Sequence, residues 1–147
     1  MTNSVEVSAA DALVVGDRVE LSFPARGDLV VLARLVSSAI SSRAGFDIED
    51  LEDLRLAVGE LCLLALQGSD ARHGDLRLEF TVSTEALDIS CTLVGAAPAV
   101  GTLSPEGVEA DHLSEQILAA LVDEHGRDQA DGSVRAWLRK RRSEPLA

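Results

Sequence analysis

The stretch from Ile48 to Gln67, IEDLEDLRLAVGELCLLALQ, constrains the fold most. Leu51, Leu54, Val58, Leu61, Cys62 and Ala65 recur at helical spacing and form one apolar stripe. Leu63, Leu64 and Leu66 make the second half apolar on nearly every side. A helix of this kind must be buried on more than one side or covered by a partner. Asp47 is placed to cap its start, and Glu49, Asp50, Glu52 and Asp53 crowd the first turns, where the helix dipole favours negative charge. Gly68 marks its end.

What buries this helix is written in period-two segments. Residues 18–25 (RVELSFPA) set Val19, Leu21 and Phe23 against Arg18, Glu20 and Ser22, with Pro24 ending the strand or marking an edge. Residues 75–82 (DLRLEFTV) and 86–94 (ALDISCTLV) alternate in the same way, and the short link between them predicts a hairpin. Residues 133–141 (SVRAWLRKR) read as a last strand with Val134, Ala136 and Leu138 inward. Two further helices are expected. One spans 28–44, capped by Asp28 and stopped by Gly45; the other spans 112–124. The Gly/Pro-rich stretch 95–111 reads as loop, and 126–132 as a polar turn.

The order is therefore β-α-α-β-β-α-β. Strands with one polar face each imply a mostly antiparallel sheet of four or more strands, and three helices cover its apolar face. The expected fold is a two-layer α/β sandwich forming one domain over 18–142, with a weakly ordered tail at 1–17 and a short tail at 143–147. A chain of 147 residues buries roughly 68–70% of its unfolded surface, enough for a core without staples.

Composition narrows the partners. The net charge of −12 repels phosphate backbones, and only Phe23, Phe46, Phe80 and Trp137 are aromatic, so direct nucleic-acid binding is not expected. No apolar run is long enough to span a membrane, and no basic segment precedes an apolar one at the start; a cytoplasmic protein is expected. Cys62 and Cys91 are too few for a disulfide framework and fall on inward faces. His73, His112 and His125 lack ligand spacing, so no metal site is expected.

The words DLEDLRLAVGELCLLALQG, LSFPA, Ala33-Arg34 and Ala44-Gly45-Phe46 together resemble the anti-sigma-factor serine kinases of the RsbW and SpoIIAB type. These belong to the ATPase superfamily of gyrase, Hsp90, histidine kinases and MutL (GHKL, HATPase_c). The family's second helix reads D-L-x-x-A-V-x-E-x-x-x-N-A; Asp53, Leu54, Ala57, Val58, Glu60 and Ala65 match it. The resemblance runs from about 18 to 142 and is nearest to degenerate actinobacterial members of the mycobacterial stress-response kind.

The resemblance implies a nucleotide site, and this sequence departs from it in three places. Leu64 stands where the family's asparagine holds Mg²⁺, and an alkyl group cannot coordinate a hard cation. Leu93-Val94-Gly95 stands where a D-x-G word anchors adenine; the glycine is kept and the carboxylate is not. In place of a glycine-rich lid lies GVEADHLSEQ, where Gly107 is alone and Glu106, Glu109 and Asp111 would repel phosphate. Glu60 matches the family's general base and is read as vestigial; the alternative is a solvated helix residue.

The resemblance implies an anti-sigma factor that binds an alternative sigma factor, forms a homodimer near the first strand and helix, and is released by an anti-anti-sigma (STAS) protein. No cofactor is expected. ATP with Mg²⁺ enters only in the rival reading of an active serine kinase. Arg34 lies where the family's first-helix arginine contacts partners, and Arg26 sits at the helix entrance; both can also be ordinary solvated arginines. The acidic cluster from Asp47 to Asp53 either matches the helix dipole or meets a basic partner. Trp137 is either an interface anchor or a cover for arginine stems.

Overall fold

The computed structural model describes residues 12–67, 69–70, 74–95, 97–98, 105–130 and 133–143. The elements are β1 (Arg18–Pro24), a 3-10 turn (Gly27–Leu29), α1 (Val30–Arg43), α2 (Ile48–Leu66) and β2 (Ser69–Asp70). They continue with β3 (Asp75–Val82), β4 (Ala86–Val94), β5 (Ala97–Pro98), α3 (Pro105–Leu121), β6 (Glu124–Ala130) and β7 (Ser133–Arg141). Five strands make one antiparallel sheet in the order β1-β3-β4-β7-β6, and β2 pairs with β5 separately. This is the α/β sandwich read from the alternation.

The core follows the register. Val19, Phe80, Ile89 and Leu138 stand side by side across β1, β3, β4 and β7. Leu21, Leu78, Cys91 and Ala136 form the next inward row. Against these rows α2 sets Leu54, Ala57, Val58, Leu61, Cys62, Leu64 and Ala65, each at most 1% exposed. Each fully buried leucine contributes about 1.5–3 kcal/mol of transfer free energy. Helix α2 is the central helix, packed against α1, α3 and the sheet. That position is the reason its second half is apolar on several sides.

Cys62 and Cys91 meet across the helix–sheet seam with their sulfurs 4.0 Å apart, and both are fully buried. The Cys91 thiol donates to Cys62, and this bond together with burial pushes its pKa up. A thiol that stays neutral in the fold, while the unfolded chain ionises near pH 8.5, costs stability as pH rises through that value. We expect native Cys62 and Cys91 to resist a disulfide reagent at neutral pH and to react after denaturation. The stability of the wild type should fall above about pH 8.5 more steeply than that of Cys91→Ala. Rapid labelling of the native protein, or parallel pH curves, would contradict this.

Several expectations need correction. Helix α3 starts at Pro105, not at 112, so Glu106, Gly107, Glu109 and Asp111 are helical and not part of a lid loop. Residues 124–130 form β6, where 126–132 was expected to be a turn. EHGRDQA carries no alternation of its own; pairing with β7 makes it a strand. Its inward Arg127 donates to Asp111 of α3 at 2.7 Å, a charge that also guards the sheet edge. Helix α1 begins at Val30, after the 3-10 turn. Asp28 lies inside that turn and makes no cap. It accepts instead from the Arg26 Nε and Nη2, at 3.2 and 2.8 Å. Of the stretch 1–17, residues 1–11 lie outside the described residues; the Gly16 N–H donates to the Val82 carbonyl and the Leu13 N–H to that of Arg43. Of the stretch 143–147, only Ser143 is described.

The uncovered sheet face is polar and paired. Arg139 takes Asp88, its neighbour in register, through two hydrogen bonds of 2.8 and 3.2 Å. Trp137 stands opposite Gly126 in the edge strand β6. A Cβ on Gly126 would lie 2.7 Å from the Trp137 ring. The indole therefore covers the glycine, and the structure gives Trp137 a cross-strand packing role.

Candidate functional site

The positions singled out by sequence lie at the entrance to α1 and on it, on α2, at the end of β4 and on α3. Leu64 is 1% exposed and Leu93 is 3% exposed, and both belong to one continuous apolar cluster. Leu64 follows Glu60 by one helical turn. Leu93 is an inward residue of β4 and stands opposite Leu76. Gly95 is exposed and has a φ of 79°, so the strand exit keeps a left-handed turn that suits glycine. Residues 96 and 99–104, between that turn and α3, lie outside the described residues.

Glu60 is partly buried and points toward α3, where its Oε2 accepts a hydrogen bond of 2.9 Å from the Ser114 hydroxyl. One turn earlier on α3, Asp111 is buried and takes Arg127 with one oxygen, while its Oδ1 has no partner among the described residues. Among the described residues, no group of three or more His, Cys, Asp or Glu is placed to hold a metal ion. Ser114 could not be singled out from sequence; it becomes relevant only because α2 and α3 pack side by side.

Arg26 and Arg34, grouped by sequence, are separated by structure. Arg26 is held by Asp28, whose carboxyl is drawn below the usual range by that guanidinium. Arg34 is exposed on α1 and lies over Gly59 of α2: a Cβ built on Gly59 would sit 2.6 Å from its Nε and 2.7 Å from its Nη2. No carboxylate among the described residues forms an ion pair with Arg34. A glycine inside a helix costs about 1 kcal/mol relative to alanine and hints at close approach, so Gly59 carried a signal that its place in the motif hid.

The acidic start of α2 is partly consumed within the fold. The Asp47 side chain caps the helix by accepting from the Asp50 N–H at 2.8 Å. Asp50 and Asp53 face the Lys140 ammonium of β7 at 3.6 and 3.5 Å. Lys140 also donates to the carbonyl of Leu121, the last residue of α3. Arg142 donates to the carbonyls of Ala44 and Ser83 and stacks over Phe46 at 4.8 Å. Of this cluster, Glu49 and Glu52 are exposed, and Glu52 accepts from Arg55. No helix among the described residues is long and apolar enough to cross a membrane.

Comparison with known proteins adds an independent line. No family model matches the chain. It is 31% identical over 138 residues to a serine-protein kinase RsbW of Bacillus licheniformis, covering 84% of this chain and 85% of that protein. A second RsbW, from a named strain of the same species, is 32% identical over 123 residues, covering 74% and 76%. The RsbW of Bacillus pumilus is 36% identical over 77 residues, about half of each chain. With two relatives above 30% identity aligned over most of both chains, and with the sandwich in place, this chain belongs to the RsbW-type family of serine-protein kinases and anti-sigma factors.

Proposed function

We propose that this protein is a cytoplasmic anti-sigma factor that sequesters an alternative sigma factor by direct contact and no longer runs phosphoryl transfer. The burial of Leu64 carries this reading. Mg²⁺ needs oxygen ligands, and the side chain where the family's asparagine would offer one is an alkyl group packed into the core. Glu60, the family's base, hydrogen-bonds a hydroxyl of α3. At the adenine position Leu93 is likewise inside the core. The residues present therefore do not fit Mg-ATP. Without phosphorylation, release must come from competing affinities, so an anti-anti-sigma STAS protein has to cover a surface that overlaps the sigma site.

Arg34 is the proposed contact residue, because it is exposed and carries no local ion pair among the described residues. Arg26 is the weaker candidate, because a partner must compete with Asp28 for it. A homodimer through the β1 side is part of the proposal, since β1 is an edge strand with one side unpaired among the described residues.

The rival reading is an active kinase. It is supported by the relatives being serine-protein kinases, by Glu60 and by Gly95. Isothermal titration calorimetry separates the two. Purified alternative sigma factors of the source organism, tested one at a time, should include one that binds, and Mg-ATP should give no saturable heat. Arg34→Ala should weaken the sigma complex about tenfold, or ~1.4 kcal/mol, with little change in melting temperature. Micromolar Mg-ATP binding that Glu60→Gln abolishes, or phosphate transfer to a STAS protein, would establish the kinase instead.

A further inference from the structure

We infer that the partner surface continues from α1 onto α2, and that Gly59 is the positioning residue that joins the two helices by seating Arg34 flat between exposed apolar side chains. This rests on the sigma-binding reading above. Arg34 reaches across the helix pair and covers Gly59, which is buried beneath it. On a helix, residues three before and four after a position are its neighbours on the same face. For Gly59 these are Leu56 and Leu63, 54% and 38% exposed. For Arg34 the residue three before is Val31, 49% exposed. The structure thus sets a guanidinium among exposed apolar side chains from two helices.

The occupant that fits is a segment of the sigma factor presenting a carboxylate within an apolar face. The apolar side chains would exclude water from around the guanidinium, and its planar fork would take the carboxylate with two hydrogen bonds. A purely apolar segment fits less well, because it would bury the Arg34 charge without a partner. Gly59 matters because any side chain there lifts the guanidinium off α2. A Cβ at 2.6 Å from Nε cannot be accommodated while the arginine stays, and the arginine, being flexible and exposed, is what moves. The surface would then lose its pre-set cation even though both helices remain folded.

The test is a double-mutant cycle on the sigma factor that binds the wild type, read by calorimetry, with melting temperatures measured in parallel. Gly59→Ala should melt no lower than the wild type by more than a few degrees, because alanine is the better helix former. It should nevertheless bind the sigma factor about tenfold more weakly, as expected when one hot-spot contact is misplaced. In the Arg34→Ala background, Gly59→Ala should change affinity less than about twofold, because nothing is left to position. Leu56→Glu and Leu63→Glu, both on exposed sites, should each weaken binding about tenfold without lowering the melting temperature. Wild-type affinity in Gly59→Ala overturns the inference. So does a loss of equal size with and without Arg34, which would place the effect in helix packing. Unaltered binding by both leucine variants removes α2 from the surface. If the wild type binds no sigma factor at all, the functional reading fails first and this inference falls with it; if it binds and only Gly59→Ala is silent, this inference alone fails.

Discussion

Replacing Leu64 with asparagine, the residue that the family uses at this place, should destabilise the protein by about 3–5 kcal/mol and still yield no Mg-ATP binding. Two costs add. Leu64 is 1% exposed, and truncating a buried leucine costs about 2–5 kcal/mol in lost transfer energy and residual cavity. A carboxamide in an apolar cluster without a partner adds about 1–3 kcal/mol of desolvation. Relaxation and entry of water recover part of that sum. Against a total stability of roughly 5–15 kcal/mol the loss is large enough to read directly by urea denaturation. A loss below about 1 kcal/mol together with new Mg-ATP heat would show that the site is an open cleft awaiting its ligand, and would sink the proposed function.

Lys140→Ala should lower stability by about 2 kcal/mol, unusually much for a lysine. The Lys140 side chain is mostly buried, with 14% of it exposed. It hydrogen-bonds the Leu121 carbonyl at 2.8 Å and lies 3.5–3.6 Å from two carboxylates. Removing it leaves the terminal carbonyl of α3 short of a donor and sets Asp50 and Asp53 against each other without a counter-charge. Asp53 is 40% exposed, so solvent screens its share and keeps the total below that of a fully buried pair. Lys140→Met separates the causes: it restores the apolar stem and should recover less than half of the loss. A wild-type denaturation midpoint for Lys140→Ala would show that the contacts with α2 and α3 contribute nothing.

Both predictions bear on how this family member works. Its central helix is anchored at the start by Asp47, Asp50, Asp53 and Lys140 and is immersed in the core at its apolar end. A helix held so firmly is a rigid platform for Gly59, Leu56 and Leu63 on its outer side. The same rigidity works against the opening that a nucleotide cleft at Leu64 would require. On the proposed reading, the loss of a ligand site and the gain of a fixed docking surface would be two sides of one packing arrangement.

Much of this was legible in the chain itself. Period two in 75–82 and 86–94 gave the hairpin, and the crowding of leucines in the second half of α2 announced burial on several sides. Asp47 could be read as a cap because its chemistry is local: a carboxylate three residues before a free N–H. The three departures at Leu64, Leu93 and the lid were visible as residue types, although the lid words proved to lie inside α3.

By itself, then, the sequence determined the helices and strands whose burial repeats along the chain, the antiparallel sandwich they imply and the family. The elements and the sandwich follow from periodicities within a few residues and the family from the resemblance of motif words such as DLEDLRLAVGE, none of which depends on where distant segments go. Only the tertiary structure decided that EHGRDQA is a strand, that Lys140 belongs to the acidic start of α2, that Trp137 covers Gly126 and that Arg34 rests on Gly59. Each of these is a contact between segments that no local pattern pairs, and its free energy exists only once packing has brought the two sides within a few ångströms.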